Sequence, residues 1–264
     1  MASKTTLEKA KEWAQNSYFS PESRAEISAL IEANNQKEID ERFYKDLEFG
    51  TGGMRSIRGQ GINRINIYTI RKATQALCLE VLAQKTANPS ICISYDSRIW
   101  SFELAKVAAE VMAGNGVKAY IYKHLNPVAL LSFAVRSHKS MAGVMVTASH
   151  NPPEYNGYKV FWSDGAQVTP PNDQNIINNY YAITDFSTIK TMSFDEGEKA
   201  GMISWIDDSV EESYYKAILS KAINPQMCKD NGGKLKVVYT PIHGAGLVPC
   251  SRALADLGLS LIHI

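Results

Sequence analysis

The chain has 264 residues, of which 45% are hydrophobic and 21% are charged. This composition excludes an intrinsically disordered protein and is sufficient for one or two folded domains with a substantial core. Its 28 basic and 27 acidic residues leave a formal net charge of +1, so attraction of nucleic acid or of an anionic membrane by net charge is not expected.

The first 48 residues are predicted to form a helical extension. Thr5 and Glu8 have the spacing of a capping box, which marks the start of a helix. Pro21 predicts the start of a second helix, since proline is favoured at the first helical position. A third segment has apolar side chains at helical spacing: Ile39, Phe43, Tyr44 and Leu47. The glycine cluster at 50–53 cannot lie inside a helix and ends the extension.

Helix-like and strand-like segments alternate through the next part of the chain. Helices are predicted at 65–85, 102–113, 128–137 and 171–181, and strands at 90–95, 117–122, 142–147 and 157–162. The strands are short, continuous apolar runs, which are typical of a sheet covered on both faces. The pattern predicts an α/β fold in which a mixed, mostly parallel sheet is sandwiched by helices. The last two strands are joined by a loop too short for a crossover, so we expect them to be antiparallel.

The C-terminal part of the sequence is predicted to open a second, similar domain. Residues 184–206 have only a weak pattern, and 211–223 is predicted to be an amphipathic helix. Turn-forming residues then interrupt the chain up to 233. A strand at 235–239 and a helix at 248–257 would follow as one βα unit. Because such a unit cannot bury its own faces, we expect the second domain to be incomplete.

The segment that carries most chemical information is TASHNPPEYNGYK at 147–159. A strand would deliver Ser149 to the carboxyl end of the sheet, where open α/β sheets keep their sites. His150 is adjacent, and Lys159 lies on the next strand. A hydroxyl beside these two groups suits nucleophilic or phosphoryl chemistry. From these residues alone, a hydrogen bond from Ser149 to the backbone of a turn is an equally good interpretation.

Several motifs together resemble the α-D-phosphohexomutase family, the phosphoglucomutases and phosphomannomutases. TASHNP at 147–152 resembles the phosphoserine loop of that family, and NGYKV at 156–160 matches the segment that follows it. FGTGGMR at 49–55 resembles the glycine loop, YDSR at 95–98 a strand end of the first domain, and YTPIHGAG at 239–246 the start of the second domain. The helical extension is similar to that of the bacterial branch that also holds phosphopentomutase-like proteins.

The resemblance implies an enzyme that moves a phosphoryl group between two hydroxyls of one sugar phosphate, through a phosphoserine and a bisphosphate intermediate. Ser149 would carry the phosphate. Arg55 and Lys159 match positions that reach the transferring phosphate or the attacking hydroxyl. Arg55 offers a fixed fork for phosphate, and Lys159 is the better candidate for proton transfer. His150 matches the histidine beside the phosphoserine and is assigned an orienting or acid–base role.

The resemblance also implies cofactors and phosphate contacts. Mg²⁺ would bind one oxygen of the phosphate on Ser149, and a bisphosphate of the glucose 1,6-bisphosphate type would act as activator. Gly52 and Gly53 would let the backbone approach the phosphate closely. Arg98 is expected to support the loop.

Three further family motifs are absent from this sequence: a metal loop of the form DGDADR, a sugar-reading loop GEESG and a phosphate-binding loop RPSGTEP. We therefore expect a chain truncated within its second domain, with little or no turnover by itself. The last residues, LSLIHI at 259–264, match one reading frame of a common sequencing adapter and are expected to be non-native.

The predicted organisation has five parts: a helical extension at 1–48, the phosphoserine domain at 49–205, a connecting helix and linker at 206–233, the start of a second domain at 234–258 and the tail at 259–264. No signal peptide or bilayer-length apolar run is visible, and the four cysteines form no CxxC. We therefore expect a cytoplasmic protein with reduced thiols.

More than one function stays open. The first is a mutase acting on the 1- and 6-hydroxyls of a hexose phosphate, with a phosphopentomutase of the same family as the alternative. A second is a non-catalytic fragment that binds phosphate or a partner. A hydrolase or phosphatase that uses Ser149 is least favoured, because a GxSxG elbow and an acid partner are missing.

The expected partner is a sugar phosphate, with no nucleic acid and no membrane. The sugar and the oligomeric state stay open.

Overall fold

The computed structural model describes residues 4–50 and 52–259, so the expected non-native tail lies from residue 260 onward outside the described residues. The helices are α1 (Thr6–Gln15), α2 (Pro21–Glu32), α3 (Gln36–Phe43), α4 (Ile67–Ala83), α5 (Ser101–Gly114), α6 (Val128–His138), α7 (Asn172–Ala182), α8 (Phe194–Lys199), α9 (Asp208–Leu219), α10 (Pro225–Asn231) and α11 (Leu247–Asp256). The strands are β1 (Gly53–Ile57), β2 (Ser90–Tyr95), β3 (Lys118–Ile121), β4 (Ala142–Val146), β5 (Tyr155–Trp162) and β6 (Ile203–Trp205).

One mixed sheet organises these elements, with its strands in the order β1-β5-β4-β2-β3-β6. The pairs β4–β2, β2–β3 and β3–β6 are parallel, whereas β5 is antiparallel to both β4 and β1. The mostly parallel sheet and the antiparallel pair expected from the sequence are therefore confirmed. In such a sheet the loops after β2 and β4 leave from the same edge.

Helices cover both faces of this sheet. Successive side chains of a strand point to opposite faces. Ile91 and Ile93 of β2 pack into a core with α4, α5 and α7, whereas Cys92 between them packs with α6 and α9 on the other face. The α/β sandwich expected from the short apolar strands is therefore confirmed. None of the described helices combines the length and apolar character that crossing a membrane requires.

The N-terminal extension forms a small aromatic core of its own against α4. Trp13 stacks on Phe19 with ring centroids 3.7 Å apart, and Tyr68 of α4 meets Phe19 edge-on at 4.7 Å. The backbone N–H of Ser20 donates to the Tyr68 hydroxyl at 2.7 Å. The three predicted helices of the extension, including the capping box at the start of α1, are confirmed.

Some elements differ from the sequence prediction. The weakly patterned residues 184–206 contain α8 and the edge strand β6, and the glycine cluster leads directly into β1, which was not predicted. The strand predicted at 235–239 is not among the named strands of the described residues, where only Val237 is in a β-bridge and Val238 is 66% exposed. A short helix, α10, forms where only chain breaks were expected, with Pro225 in its first turn.

The packing of the extension predicts opposite effects for two adjacent aromatic residues. Phe43 is 0% exposed and packs beside Trp13, whereas Tyr44, which was predicted on the same apolar face, is 55% exposed. We expect Phe43→Ala to lower the free energy of unfolding by about 3 kcal/mol or more through a cavity. Tyr44→Ala should change it by less than about 0.5 kcal/mol. Urea unfolding of both variants measures this, and equal losses would contradict the described packing.

Candidate active site

A cavity of about 920 Å³ opens at the carboxyl edge of the sheet. The loop between β4 and β5, here called the serine loop (residues 147–154), forms one wall, and the loop after β2 forms another. Its lining residues are 96–99, 127–128, Met145, Thr147, 149–151, Pro153, Lys159 and 243–245. The cavity therefore unites two sheet-edge loops with the YTPIHGAG segment, which the sequence did not predict to lie there.

Ser149 is presented to solvent at the tip of β4, as expected. It is exposed, while Ala148 before it is fully buried. Its φ of 57° lies in the left-handed region, which is unusual for a residue other than glycine. Its hydroxyl lies 3.5 Å from Nδ1 of His150 and, among the described residues, makes no hydrogen bond to the backbone. The interpretation of Ser149 as a turn residue whose hydroxyl binds the backbone therefore loses its support.

Arg98 binds the backbone of the serine loop through hydrogen bonds from its guanidinium. Its guanidinium donates to the carbonyl oxygens of Ser149 (2.8 Å), Asn151 (2.5 Å), Pro152 (2.8 Å) and Tyr155 (3.0 Å). The planar fork of arginine places several donors in fixed directions, so one side chain can serve all these acceptors. This contact set confirms the expected loop-supporting role of Arg98.

A second network ties the serine loop to the end of β2. The backbone N–H of Ser149 donates to Oγ1 of Thr147 at 2.9 Å, and that hydroxyl donates to Oδ2 of Asp96 at 2.5 Å. The other Asp96 oxygen, Oδ1, accepts from the backbone N–H of Arg98 at 3.0 Å and from Oγ of Ser101 at 2.7 Å. Sequence reasoning did not find Thr147 or Asp96. The only signal was that both directly follow adjacent parallel strands.

Lys159 reaches the same cavity through the antiparallel pairing of β4 and β5. Its Cα pairs with Met145 of β4 on one side and with Gly53 of β1 on the other. Met145 and Lys159 both line the cavity. The structure therefore brings Ser149, His150 and Lys159 together, as the sequence predicted.

Arg55 lies beside the serine loop and outside the set of described residues that line the cavity. It is an exposed residue of β1, opposite Gly157 of β5. Its Nη1 donates to Oδ1 of Asn151 at 2.6 Å. In this structure the guanidinium is anchored on the loop residue two positions after Ser149, and within the described part of the chain its other N–H groups donate to no further acceptor.

Gly52 and Gly53 allow β1 to approach β5 closely. Both have φ in the left-handed region, 84° and 144°. A Cβ on Gly53 would lie 2.0 Å from the carbonyl oxygen of Tyr158, and one on Gly52 would lie 2.1 Å from Nε2 of Gln167. Neither glycine lines the cavity among the described residues. Their contact with phosphate stays a prediction, and their observed role is to seat β1 beside Lys159.

The described residues do not form a metal site by themselves. They contain no group of three His, Cys, Asp or Glu residues that could hold a metal ion. The carboxylate nearest to Ser149 in the network, Asp96, already accepts hydrogen bonds on both oxygens. Mg²⁺ therefore stays an expectation from the resemblance, and no chemical step is derived through it.

Comparison with known proteins places this fold and cavity in a family. The model of the phosphoglucomutase/phosphomannomutase α/β/α domain I matches residues 46–186. The chain belongs to this family.

The chain is similar to several members of known activity class. It is 31% identical over 230 residues to a phosphopentomutase of Homo sapiens, covering 83% of this chain and 37% of the relative. It is 32% identical over 231 residues to a phosphoglucomutase of Staphylococcus saprophyticus, covering 88% of this chain and 41% of the relative. The chain thus spans about two fifths of the length of these curated relatives.

A solved structure of a phosphoglucomutase/phosphomannomutase family protein from Burkholderia thailandensis has the same fold. The TM-score is 0.62 at 22% identity, over 82% of this chain and 43% of that one. The structural likeness therefore shows the same fold, while the curated relatives are named as a phosphopentomutase and a phosphoglucomutase.

The role of Gly53 can be tested by adding a single methyl group. Gly53→Ala forces a left-handed backbone onto alanine and drives its Cβ against the Tyr158 carbonyl. We expect a loss of at least about 2 kcal/mol in the free energy of unfolding. The control is Gly233→Ala, where nothing lies within 4 Å of the added Cβ and the change should stay within about 0.5 kcal/mol. Equal melting curves for the two variants would refute the close approach of β1 to β5.

Proposed function

We propose that this chain carries the phosphoserine portion of a phosphosugar mutase, which moves a phosphoryl group between the 1- and 6-hydroxyls of a hexose phosphate through a bisphosphate intermediate. The observation that carries the proposal is the exposed hydroxyl of Ser149, presented on the TASHNP loop of a family member into a cavity that also holds His150 and Lys159. The split among curated relatives supports a phosphopentomutase as the second candidate.

Each proposed step moves one phosphoryl group and one proton. A sugar hydroxyl attacks the phosphorus of phospho-Ser149, so that the sugar O–P bond forms while the Oγ–P bond breaks. The proton of the sugar hydroxyl ends on Oγ of Ser149, and Lys159 in the same cavity is the group proposed to carry it. After the bisphosphate has turned around, the reverse transfer rephosphorylates Ser149 and returns the proton to the sugar.

The remaining residues are proposed to stabilise and orient the reacting groups. Phosphoryl transfer depends mainly on positioning and on neutralising charge on the phosphoryl oxygens. Lys159 supplies a cation inside the cavity. Arg55, whose guanidinium is hydrogen-bonded to Asn151 beside the cavity, supplies N–H donors that can bind two phosphate oxygens at once. His150, with Nδ1 3.5 Å from Oγ of Ser149, is placed to orient the hydroxyl. A bisphosphate of the glucose 1,6-bisphosphate type would load the serine, and Mg²⁺ bound by the complete mutase would add to charge neutralisation.

Transfer of phosphate to the chain tests this proposal. We expect incubation with glucose 1,6-bisphosphate to add one phosphate, located on Ser149 by mass spectrometry of its peptide. Ser149→Ala should take up none, while Ser213→Ala, which removes an exposed hydroxyl on α9, should behave like the parent chain. Continuous turnover of glucose 1-phosphate by the 264-residue chain should be little or none.

Two outcomes would contradict the proposal. One is a parent chain that takes up no phosphate, and the other is a Ser149→Ala variant that takes up as much as the parent. Running ribose 1,5-bisphosphate in parallel separates the two candidate functions, since faster loading from the pentose compound would favour the phosphopentomutase.

A further inference from the structure

We propose that Asp96 and Thr147 are positioning residues that hold the backbone of Ser149 in its left-handed conformation and so aim its hydroxyl into the cavity. This inference rests on the proposed function of Ser149 as the phosphoryl carrier and adds two residues that act on it through hydrogen bonds to its backbone.

Both polar backbone groups of Ser149 are held by side chains. Its N–H donates to Oγ1 of Thr147 at 2.9 Å, and its carbonyl accepts from Nη2 of Arg98 at 2.8 Å. A left-handed backbone costs a non-glycine residue about 1–2 kcal/mol. These two contacts, from opposite ends of the residue, offset that cost and leave little freedom for the side chain.

The direction of the Thr147 hydroxyl is determined by Asp96. A hydroxyl has one proton, and a carboxylate can only accept. Because Thr147 donates that proton to Oδ2 of Asp96 at 2.5 Å, a lone pair of Oγ1 is left for the N–H of Ser149. The chain of donation therefore runs one way, from Ser149 through Thr147 to the carboxylate.

Asp96 also connects to the group at the other end of Ser149. Nε of Arg98 lies 3.5 Å from Oδ2 of Asp96, and the backbone N–H of Arg98 donates to Oδ1. The carboxylate side chain is only 14% exposed, so water competes little for these contacts. One partly buried carboxylate thus organises both side chains that hold the Ser149 backbone.

The consequence lies in the placement of the reacting oxygen. Without the hydrogen bond from its N–H, Ser149 can relax to an ordinary backbone region, which rotates its Cβ and moves Oγ relative to Lys159. A displacement of about 1 Å at a reacting atom lowers a rate by about 100-fold. We therefore expect the network to act on the rate of phosphoryl transfer much more than on the stability of the fold.

Two substitutions at Thr147 distinguish positioning from packing. Thr147 is 8% exposed, and valine preserves its shape without the hydroxyl, whereas serine keeps the hydroxyl and loses a methyl group. If Thr147 only fills space, Thr147→Val should be the milder change. If its hydroxyl positions Ser149, Thr147→Val should slow the loading of Ser149 from glucose 1,6-bisphosphate by about 10-fold to 100-fold, and Thr147→Ser should retain most of the rate.

The experiment compares loading rates of the parent chain and both variants at matched folded fractions, and measures hydrogen exchange at the Ser149 amide by NMR. The expected result is fast exchange in Thr147→Val, by at least about tenfold, with protection retained in the parent chain and in Thr147→Ser. Equal protection in all three chains, or equal loading rates of the two variants where the parent chain itself loads, would overturn the proposal.

The exchange measurement needs no phosphate, so the two proposals fail separately. A parent chain that takes up no phosphate contradicts the proposed function. A serine amide whose protection does not depend on the Thr147 hydroxyl contradicts the positioning role, whatever the outcome of loading.

Discussion

The candidate site depends on the contacts of one side chain, Arg98. A tight loop between two antiparallel strands leaves carbonyl groups that no ladder hydrogen bond satisfies. Arg98 donates to the carbonyls of Ser149, Asn151 and Pro152 in this loop and to that of Tyr155 at the start of β5, at 2.5 to 3.0 Å. A cation with fixed donors therefore replaces several separate turn contacts and gives the loop one shape. Asp96, 3.5 Å away, balances the charge of the guanidinium.

The strands on either side of this loop place the charged residues that surround it. Parallel β2 and β4 place Asp96 and the serine loop at the same edge, so residues about 50 positions apart in sequence meet. The antiparallel return of β5 brings Lys159 back beside β4, and β1 adds Arg55 next to the loop. The net charge of +1 provides no long-range attraction, so an anionic substrate would be drawn in by these local cations.

Much of this arrangement was predictable because it follows from patterns of residues that are close together in the sequence. The capping box at Thr5 predicted a helix start, and short apolar runs predicted the strands that place Ser149 at an exposed tip. The strand β1 was missed because its start, Gly53, is a turn signal, and its pairing with β5 is visible only in three dimensions. Of the strand expected at 235–239, the described residues show only the β-bridge position Val237, because an apolar run becomes a strand only along the length that a neighbour pairs with. The bond from Thr147 to Asp96 has no local pattern.

Arg98 keeps the serine loop in one conformation. Hydrogen–deuterium exchange of residues 148–155 in Arg98→Lys tests it most directly, because a single ammonium group cannot reach carbonyls spread over the loop. The loop amides, including those of Ser149 and Asn151, should exchange at least about tenfold faster than in the parent chain, while the core strands keep their protection. Arg136→Lys, an exposed change on α6, should leave the loop unaltered. Unchanged loop protection in Arg98→Lys would contradict the account.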